Sequence, residues 1–156
     1  MERNKIIIHT DGGSRGNPGP AAIGAVIEEQ ALQGHLVLQD ALVRREYSQF
    51  IGITTNNEAE YQAVIFALKK LKQLVGNANA EKAEVIFYMD SELLVKQLNH
   101  EYKVKEENIQ KLFLEVHNLR LDFGKVEFKH VLRSKNTEAD KLVNQVLDRE
   151  ANKSNL

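Results

Sequence analysis

Apolar residues recur at Ala63, Val64, Ala67, Leu68 and Leu71, three or four positions apart, and this spacing predicts a long helix over Asn57–Leu74 with one face in the core. Gly76 and a polar loop through Lys82 close it. Short β-branched or alternating runs predict strands at Lys5–Thr10, Ala22–Glu28, Val43–Ile53, Glu84–Met89 and Lys125–Val131, with Gln30–Gly34 as a connection. Further helical patterns cover Ser91–Asn99, Asn108–Leu121 and Thr137–Arg149, followed by a polar tail expected to fray from Glu150 to Leu156. Three strands followed by alternating helices and strands predict an α/β fold with a mixed sheet flanked by helices. The pattern is continuous, so a single domain is expected over 1–150, with 151–156 as the tail.

Composition narrows the class without choosing a function. With 156 residues, 42% hydrophobic and 28% charged, the chain reads as one soluble globular unit. It has no cysteine, which excludes disulfides, thiolate metal sites and cysteine nucleophiles. The charged start Met1–Lys5 is followed by only three isoleucines, too few for a signal-peptide core, and no apolar run is long enough to span a bilayer. A cytoplasmic monomer with no membrane association is expected. The net charge of −1 provides no overall basic signature for nucleic acid, although a cluster of acids awaiting metal would itself lower the total.

Four acids are the candidates for chemistry. Asp11 directly follows the first predicted strand and Asp90 follows the fourth, and ligands in α/β sheets gather beyond the carboxyl ends of strands. Each is equally compatible with an ordinary turn aspartate before Gly or Ser. Glu60 heads the apolar stripe of the long helix, whereas Glu58 lies on a more solvated face with Tyr61, Gln62, Ile65 and Lys69. A carboxylate on a core-facing stripe must be paired, protonated or bound to a cation. The helix dipole explains an acid in this turn but not its choice of face. Thr137-Glu138-Ala139-Asp140 is close to a capping box, so Asp140 has a purely structural explanation as well. Several hard oxygen donors without Cys or a His cluster suit Mg²⁺ or Mn²⁺ rather than zinc, and such sites commonly hold two ions about 3.5–4 Å apart for phosphoryl chemistry.

The segment Thr10-Asp11-Gly12-Gly13-Ser14-Arg15-Gly16-Asn17-Pro18-Gly19-Pro20 closely resembles the opening motif of ribonuclease HI. Thr54-Thr55-Asn56-Asn57-Glu58-Ala59-Glu60, Met89-Asp90-Ser91 and Asn136-Thr137-Glu138-Ala139-Asp140 resemble its other three blocks, in register from about residue 5 to residue 148. The resemblance implies a five-stranded mixed sheet of order 3-2-1-4-5 with its first three strands antiparallel. It implies an endonuclease that cuts the RNA strand of an RNA–DNA hybrid, leaving 5′-phosphate and 3′-hydroxyl ends. Asp11, Glu60, Asp90 and Asp140 would hold two Mg²⁺, with Mn²⁺ as a substitute, and Glu60 would also meet a ribose 2′-hydroxyl.

By the same resemblance Gly12, Gly13, Ser14, Asn17, Thr55, Asn56, Asn57 and Ser91 are expected to contact substrate. Gly12, Gly13 and Gly16 would let backbone approach the minor groove, where the 2′-hydroxyls are displayed. Thr55 and Asn17 resemble the pocket that grips a DNA-strand phosphate, and Asn56 has a structural alternative as a helix cap.

The chain departs from the longer relatives in three places. His100–Asn108 has only Lys103 and Lys105 where they carry a basic helical protrusion, which implies a weaker, more salt-sensitive grip. The loop Leu132–Asn136 offers Arg133 and no histidine, as in a shorter archaeal and bacterial branch with a His-x-x-Arg-x-x-Asn block, so Arg133 is expected to assist metal turnover or product release. His130, in the preceding strand, is expected to be a strand residue with a satisfied hydrogen bond, with a direct role as the alternative. Some members of that branch also cut RNA duplexes, which makes double-stranded RNA a second candidate substrate. Ile53 stands where some relatives have an Arg near the phosphate pocket. The motif begins at residue 10, so no preceding hybrid-binding domain and a distributive enzyme are expected. The competing reading is a catalytically idle hybrid- or RNA-binding module on the same fold, which predicts loss of at least one of the four acids. A nucleotide-binding ATPase would want a Walker lysine, and Gly12–Gly19 has none.

Overall fold

The computed structural model describes residues 5–30 and 43–154. Strands β1 (Lys5–Ser14), β2 (Gly19–Gln30) and β3 (Val43–Thr54) form an antiparallel meander. Helices α1 (Asn56–Val75) and α2 (Asn77–Ala80) lead to β4 (Glu84–Met89), α3 (Glu92–Leu98), α4 (Glu107–Arg120), β5 (Lys125–His130) and α5 (Thr137–Ser154). The sheet order is β3-β2-β1-β4-β5, with β4 parallel to both β1 and β5. This is the expected five-stranded mixed sheet. No helix among the described residues is long and apolar enough to cross a membrane.

Alternation along β1 explains the layering. Ile6, Ile8 and Thr10 are buried on one face, where Val64, Leu68 and Leu71 of α1 pack with Val85 and Phe87 of β4 and Phe128 of β5. The Phe87 and Phe128 rings stack at 5.3 Å. On the opposite face Val143, Val146 and Leu147 of α5 cover Ala22 of β2. The stripe predicted from the helical period is therefore the one that builds the main core.

Several boundaries differ from the sequence-based expectations. Strand β1 continues four residues past Thr10, because Asp11, Gly12, Gly13 and Ser14 pair with Gly24, Ile23, Ala22 and Ala21 of β2. Asp11 thus lies within the strand rather than beyond its end. Helix α5 runs to Ser154 where a frayed tail was expected. The loop before Lys82 contains the short helix α2. The connection expected at Gln30–Gly34 lies, past Gln30, outside the described residues.

Two glycines let the helices come close to the sheet at Asp11. A Cβ on Gly12 would lie 2.3 Å from the Ala59 carbonyl of α1, and one on Gly24 would lie 2.6 Å from the Ala139 carbonyl of α5. Both contacts are with backbone, which cannot move without moving the helix. Gly24 is the cross-strand partner of Asp11. The backbones just before Glu60 and Asp140 are therefore pressed against the sheet, from opposite faces, where Asp11 stands.

Candidate active site

Asp11 from β1, Glu60 from the first turns of α1, Asp90 just after β4 and Asp140 from the first turns of α5 line one open cleft of about 410 Å³. The Asp11 carboxyl is pushed up to about 8, first by burial and then by Asp90, Asp140 and Glu60, and it hydrogen-bonds Asp140. Glu60 is pushed up to about 7, mainly by burial, with Asp90 adding to the rise and a hydrogen bond from the Ser91 hydroxyl opposing it. Two carboxyls raised in this way by burial and by neighbouring acids call for a proton or a cation. Oxygen-only donors are the set that Mg²⁺ or Mn²⁺ prefers. Among the described residues no three acids or histidines enclose an ion by themselves. That is compatible with Mg²⁺, which takes one or two carboxylates and completes its shell with water and substrate oxygens.

Local structure explains how each acid is presented. Thr55, not Asn56, caps α1, its hydroxyl accepting from the Glu58 N–H at 3.2 Å. Asn56 instead ties the helix to the β1–β2 hairpin. Its Oδ1 accepts from the Ser14 N–H at 2.8 Å, and its own N–H donates to Asn17 Oδ1 at 3.0 Å. Glu58 accepts hydrogen bonds from Thr54 and Asn108, which links α1 to β3 and α4. Ser91 caps α3, accepting from the Leu94 N–H at 3.2 Å. Thr137 is the first residue of α5 and the Asn136 carbonyl accepts from the Asp140 N–H at 3.2 Å, so the capping-box explanation of Asp140 does not hold.

Gly12, Gly13, Ser14, Asn56 and Arg133 line the cleft beside the four acids. Arg133 stands at its rim, 82% exposed, with Nη2 3.6 Å from Asp140 Oδ1. Asn17 and Thr55 use only their oxygens as acceptors in the contacts above, and Asn57 opens onto a separate groove of about 200 Å³ with Lys103 and Lys105. Gly12 is buried against α1, and the close approach of that helix is by itself enough to demand glycine there. His130 is exposed at the end of β5, paired with Met89, and does not line the cleft. Residues 99–106 join α3 to α4 without a helical protrusion.

Three residues went unassigned in the sequence. Arg15 and Asn144 also line the cleft. Asn136 is 1% exposed, and its Nδ2 donates to the Thr10 carbonyl at 2.9 Å and to Asp90 Oδ2 at 3.2 Å. Its Oδ1 is buried without a partner. The two acceptors dictate the amide orientation, since a flipped amide would set oxygen against both. Asn136 closes the His-x-x-Arg-x-x-Asn block and opens the fourth motif, and that placement was the available signal.

The family model described as reverse transcriptase-like matches residues 9–146. Among solved structures, LC11-RNase H1 in complex with an RNA/DNA hybrid is 41% identical with a TM-score of 0.80, over 94% of this chain and 99% of that one. The N-terminal RNase H domain of Rv2228c from Mycobacterium tuberculosis is 36% identical with a TM-score of 0.79, over 97% and 99%. RNase H1 from Halobacterium salinarum is 32% identical with a TM-score of 0.77, over 93% and 98%. The chain spans only 36% of the length of the bifunctional protein Rv2228c, at 38% identity over 144 residues. With the fold, the family match and these near-complete alignments in agreement, the chain belongs to the reverse transcriptase-like family and, within it, to the type 1 ribonucleases H.

Proposed function

We propose that this protein is an endonuclease that hydrolyses the RNA strand of RNA–DNA hybrids, leaving 5′-phosphate and 3′-hydroxyl ends. The observation that carries this reading is the convergence of Asp11, Glu60, Asp90 and Asp140 in one open cleft. It is supported by the alignment with a type 1 enzyme whose structure contains an RNA/DNA hybrid. A catalytically idle binding module would have no use for a complete set of acids held at this energetic cost.

The four carboxylates would hold two divalent cations, Mg²⁺ or in its place Mn²⁺. When bound, such ions lower the pKa of an attacking water and offset the charge that develops on the phosphate and the leaving oxygen. The Ser91 hydroxyl bond favours the charged form of Glu60 and offsets part of the penalty of its burial, and the Asn136 amide holds Asp90 against the end of the sheet. The Gly13 and Ser14 segment and Asn56 form the cleft wall on which a ribose with its 2′-hydroxyl is read. Asn17 and Thr55 fix the hairpin and the head of α1 through their oxygens and offer the Asn17 amide nitrogen and the Thr55 hydroxyl proton to a DNA-strand phosphate, and Asn57 faces the groove where Lys103 and Lys105 meet the second strand. Arg133, loosely paired with Asp140, is placed to assist turnover and release of product.

The test is cleavage of an end-labelled RNA–DNA hybrid beside matched RNA and DNA duplexes, with Mg²⁺, with Mn²⁺ and with EDTA. Metal-dependent cutting of the hybrid's RNA strand is expected, and cutting of the RNA duplex would widen the substrate class. Intact hybrid with either metal, from a folded protein, would reject the nuclease reading in favour of a binding module.

Asn136→Asp replaces the donor facing Asp90 with a carboxylate. It is expected to lower kcat on the hybrid about tenfold to a hundredfold, the usual cost of disturbing a residue that orients a metal ligand. KM is expected to stay within about twofold, because the amide is buried away from the nucleic acid. Steady-state kinetics with melting curves decide this, and a proportional loss in Tm alone would assign Asn136 to packing.

A further inference from the structure

Arg15, at the tip of the β1–β2 hairpin, lines the same cleft as the four acids. Its Nη2 lies 2.6 Å from Asp148 Oδ1 and 3.5 Å from Asn144 Oδ1, both on α5. Asp140, Asn144 and Asp148 recur every four residues, so they form one stripe along that helix. Among the described residues, Arg15 and Arg133 are the two cationic side chains of the cleft lining.

The Arg15–Asp148 pair does not explain itself as a structural tie. Both side chains are open to solvent, at 43% and 66% exposure. Exposed pairs of this kind contribute little to stability. The hairpin is already held by the Arg15 N–H to the Pro20 carbonyl and by the Ser14 and Asn17 bonds to Asn56. What the arrangement does achieve is to park a guanidinium fork beside the acids that would surround a phosphodiester. That fork matches phosphate oxygens in two-pronged geometry.

We propose that Arg15 is a substrate-binding residue that exchanges Asp148 for a phosphate of the strand being cut, with Asp148 as its resting competitor. This rests on the hybrid-nuclease reading and names one of its phosphate contacts. Before binding, Asp148 holds the guanidinium in place and screens it. An incoming strand then displaces an intramolecular carboxylate, so part of the attraction between Arg15 and phosphate is spent on breaking the resting pair. The two substitutions must therefore change affinity in opposite directions, which a simple tie between hairpin and helix cannot produce.

The test measures binding of a fluorescent RNA–DNA hybrid with Mg²⁺ in an Asp11→Asn background, as Kd against salt concentration. Asp148→Ala is expected to tighten binding about threefold, since it frees Arg15 from an exposed pair. Arg15→Ala is expected to weaken it about fivefold and to lower the slope of log Kd against log salt by about 1. Arg15→Lys should keep the slope with weaker binding. The double variant should match Arg15→Ala, because Asp148 has nothing left to compete for. Unchanged or weaker binding on Asp148→Ala, or an unchanged slope on Arg15→Ala, would overturn the proposal. Failure of the wild-type chain to cut the hybrid would overturn the nuclease reading as well, whereas normal cutting with the Arg15 and Asp148 variants silent would overturn this inference alone.

Discussion

Asp11→Asn is expected to stop hybrid cleavage and, at the same time, to make the metal-free protein more stable at pH 8. The activity loss should be at least about a thousandfold, because the central carboxylate contributes to several kcal/mol of charge stabilisation around the reacting phosphate. The stability gain follows from the cluster itself. Folding raises the Asp11 carboxyl from 3.8 to about 8, so between these values the folded chain binds more protons than the unfolded one. The metal-free wild type therefore loses stability as pH rises from about 4 to about 8 and levels off above that. Asparagine carries no charge at either end of this window and removes that component of the slope.

At pH 8 the variant should melt roughly 5 °C above the metal-free wild type, which corresponds to about 2 kcal/mol recovered by no longer burying a charge among other acids in a chain of this size. Near pH 4 the two should nearly coincide, because Asp11 is then protonated in the folded chain and largely so in the unfolded one. Mg²⁺ should raise the wild-type Tm more at pH 8 than at pH 5, where protons compete for the same oxygens, and should raise the variant's less. Melting curves across pH with EDTA and with Mg²⁺ check all of this. A metal-free wild type that grows more stable from pH 5 to pH 8 would contradict the electrostatic account of the site.

The second large effect is expected from Gly12→Ala. The added methyl would stand 2.3 Å from both carbonyl atoms of Ala59 and 2.5 Å from the Glu60 nitrogen. None of these is a flexible side-chain end, so α1 or β1 must shift. Overpacking against backbone of this kind costs about 3 kcal/mol or more, which corresponds to a fall in Tm of about 10 °C. The same shift moves Glu60 relative to Asp11, so hybrid cleavage by the remaining folded protein should fall steeply too. Gly13→Ala is the control, because its methyl would meet Val143 Cγ1 at 3.5 Å and Asn56 Oδ1 at 4.0 Å, both ordinary contacts with side chains. Denaturant unfolding of both variants separates them, and equal stability would show that α1 does not depend on that close approach.

Much of the fold was legible in the chain, for local reasons. The 3.6-residue stripe from Ala63 to Leu71 and the alternating strands depend on side chains a few positions apart, which one element arranges by itself. The order of strands and helices follows from those runs. The boundaries that shifted did so where pairing with a distant segment outweighed local preference. Asp11–Ser14 read as a turn because of its glycines, but β2 supplies partners for it and keeps it a strand. Thr137 read as a cap, but the preceding residue Asn136, held by the Thr10 carbonyl and Asp90, takes up the position before the helix.

The sequence by itself determined the elements, the four acids and their place at the heads of helices and near the ends of strands, because turn chemistry and periodicity act over a few residues. Only the tertiary structure decided that Asp11, Glu60, Asp90 and Asp140 share one cleft, that Gly12 and Gly24 exist to let α1 and α5 press in at Asp11, and that Asn136 and Arg15 belong to the site. Each of those facts joins residues that are far apart in the chain. The distance between them is set by how closely helices can approach a sheet, and that is a property of packed backbone with no signature in any single stretch of sequence.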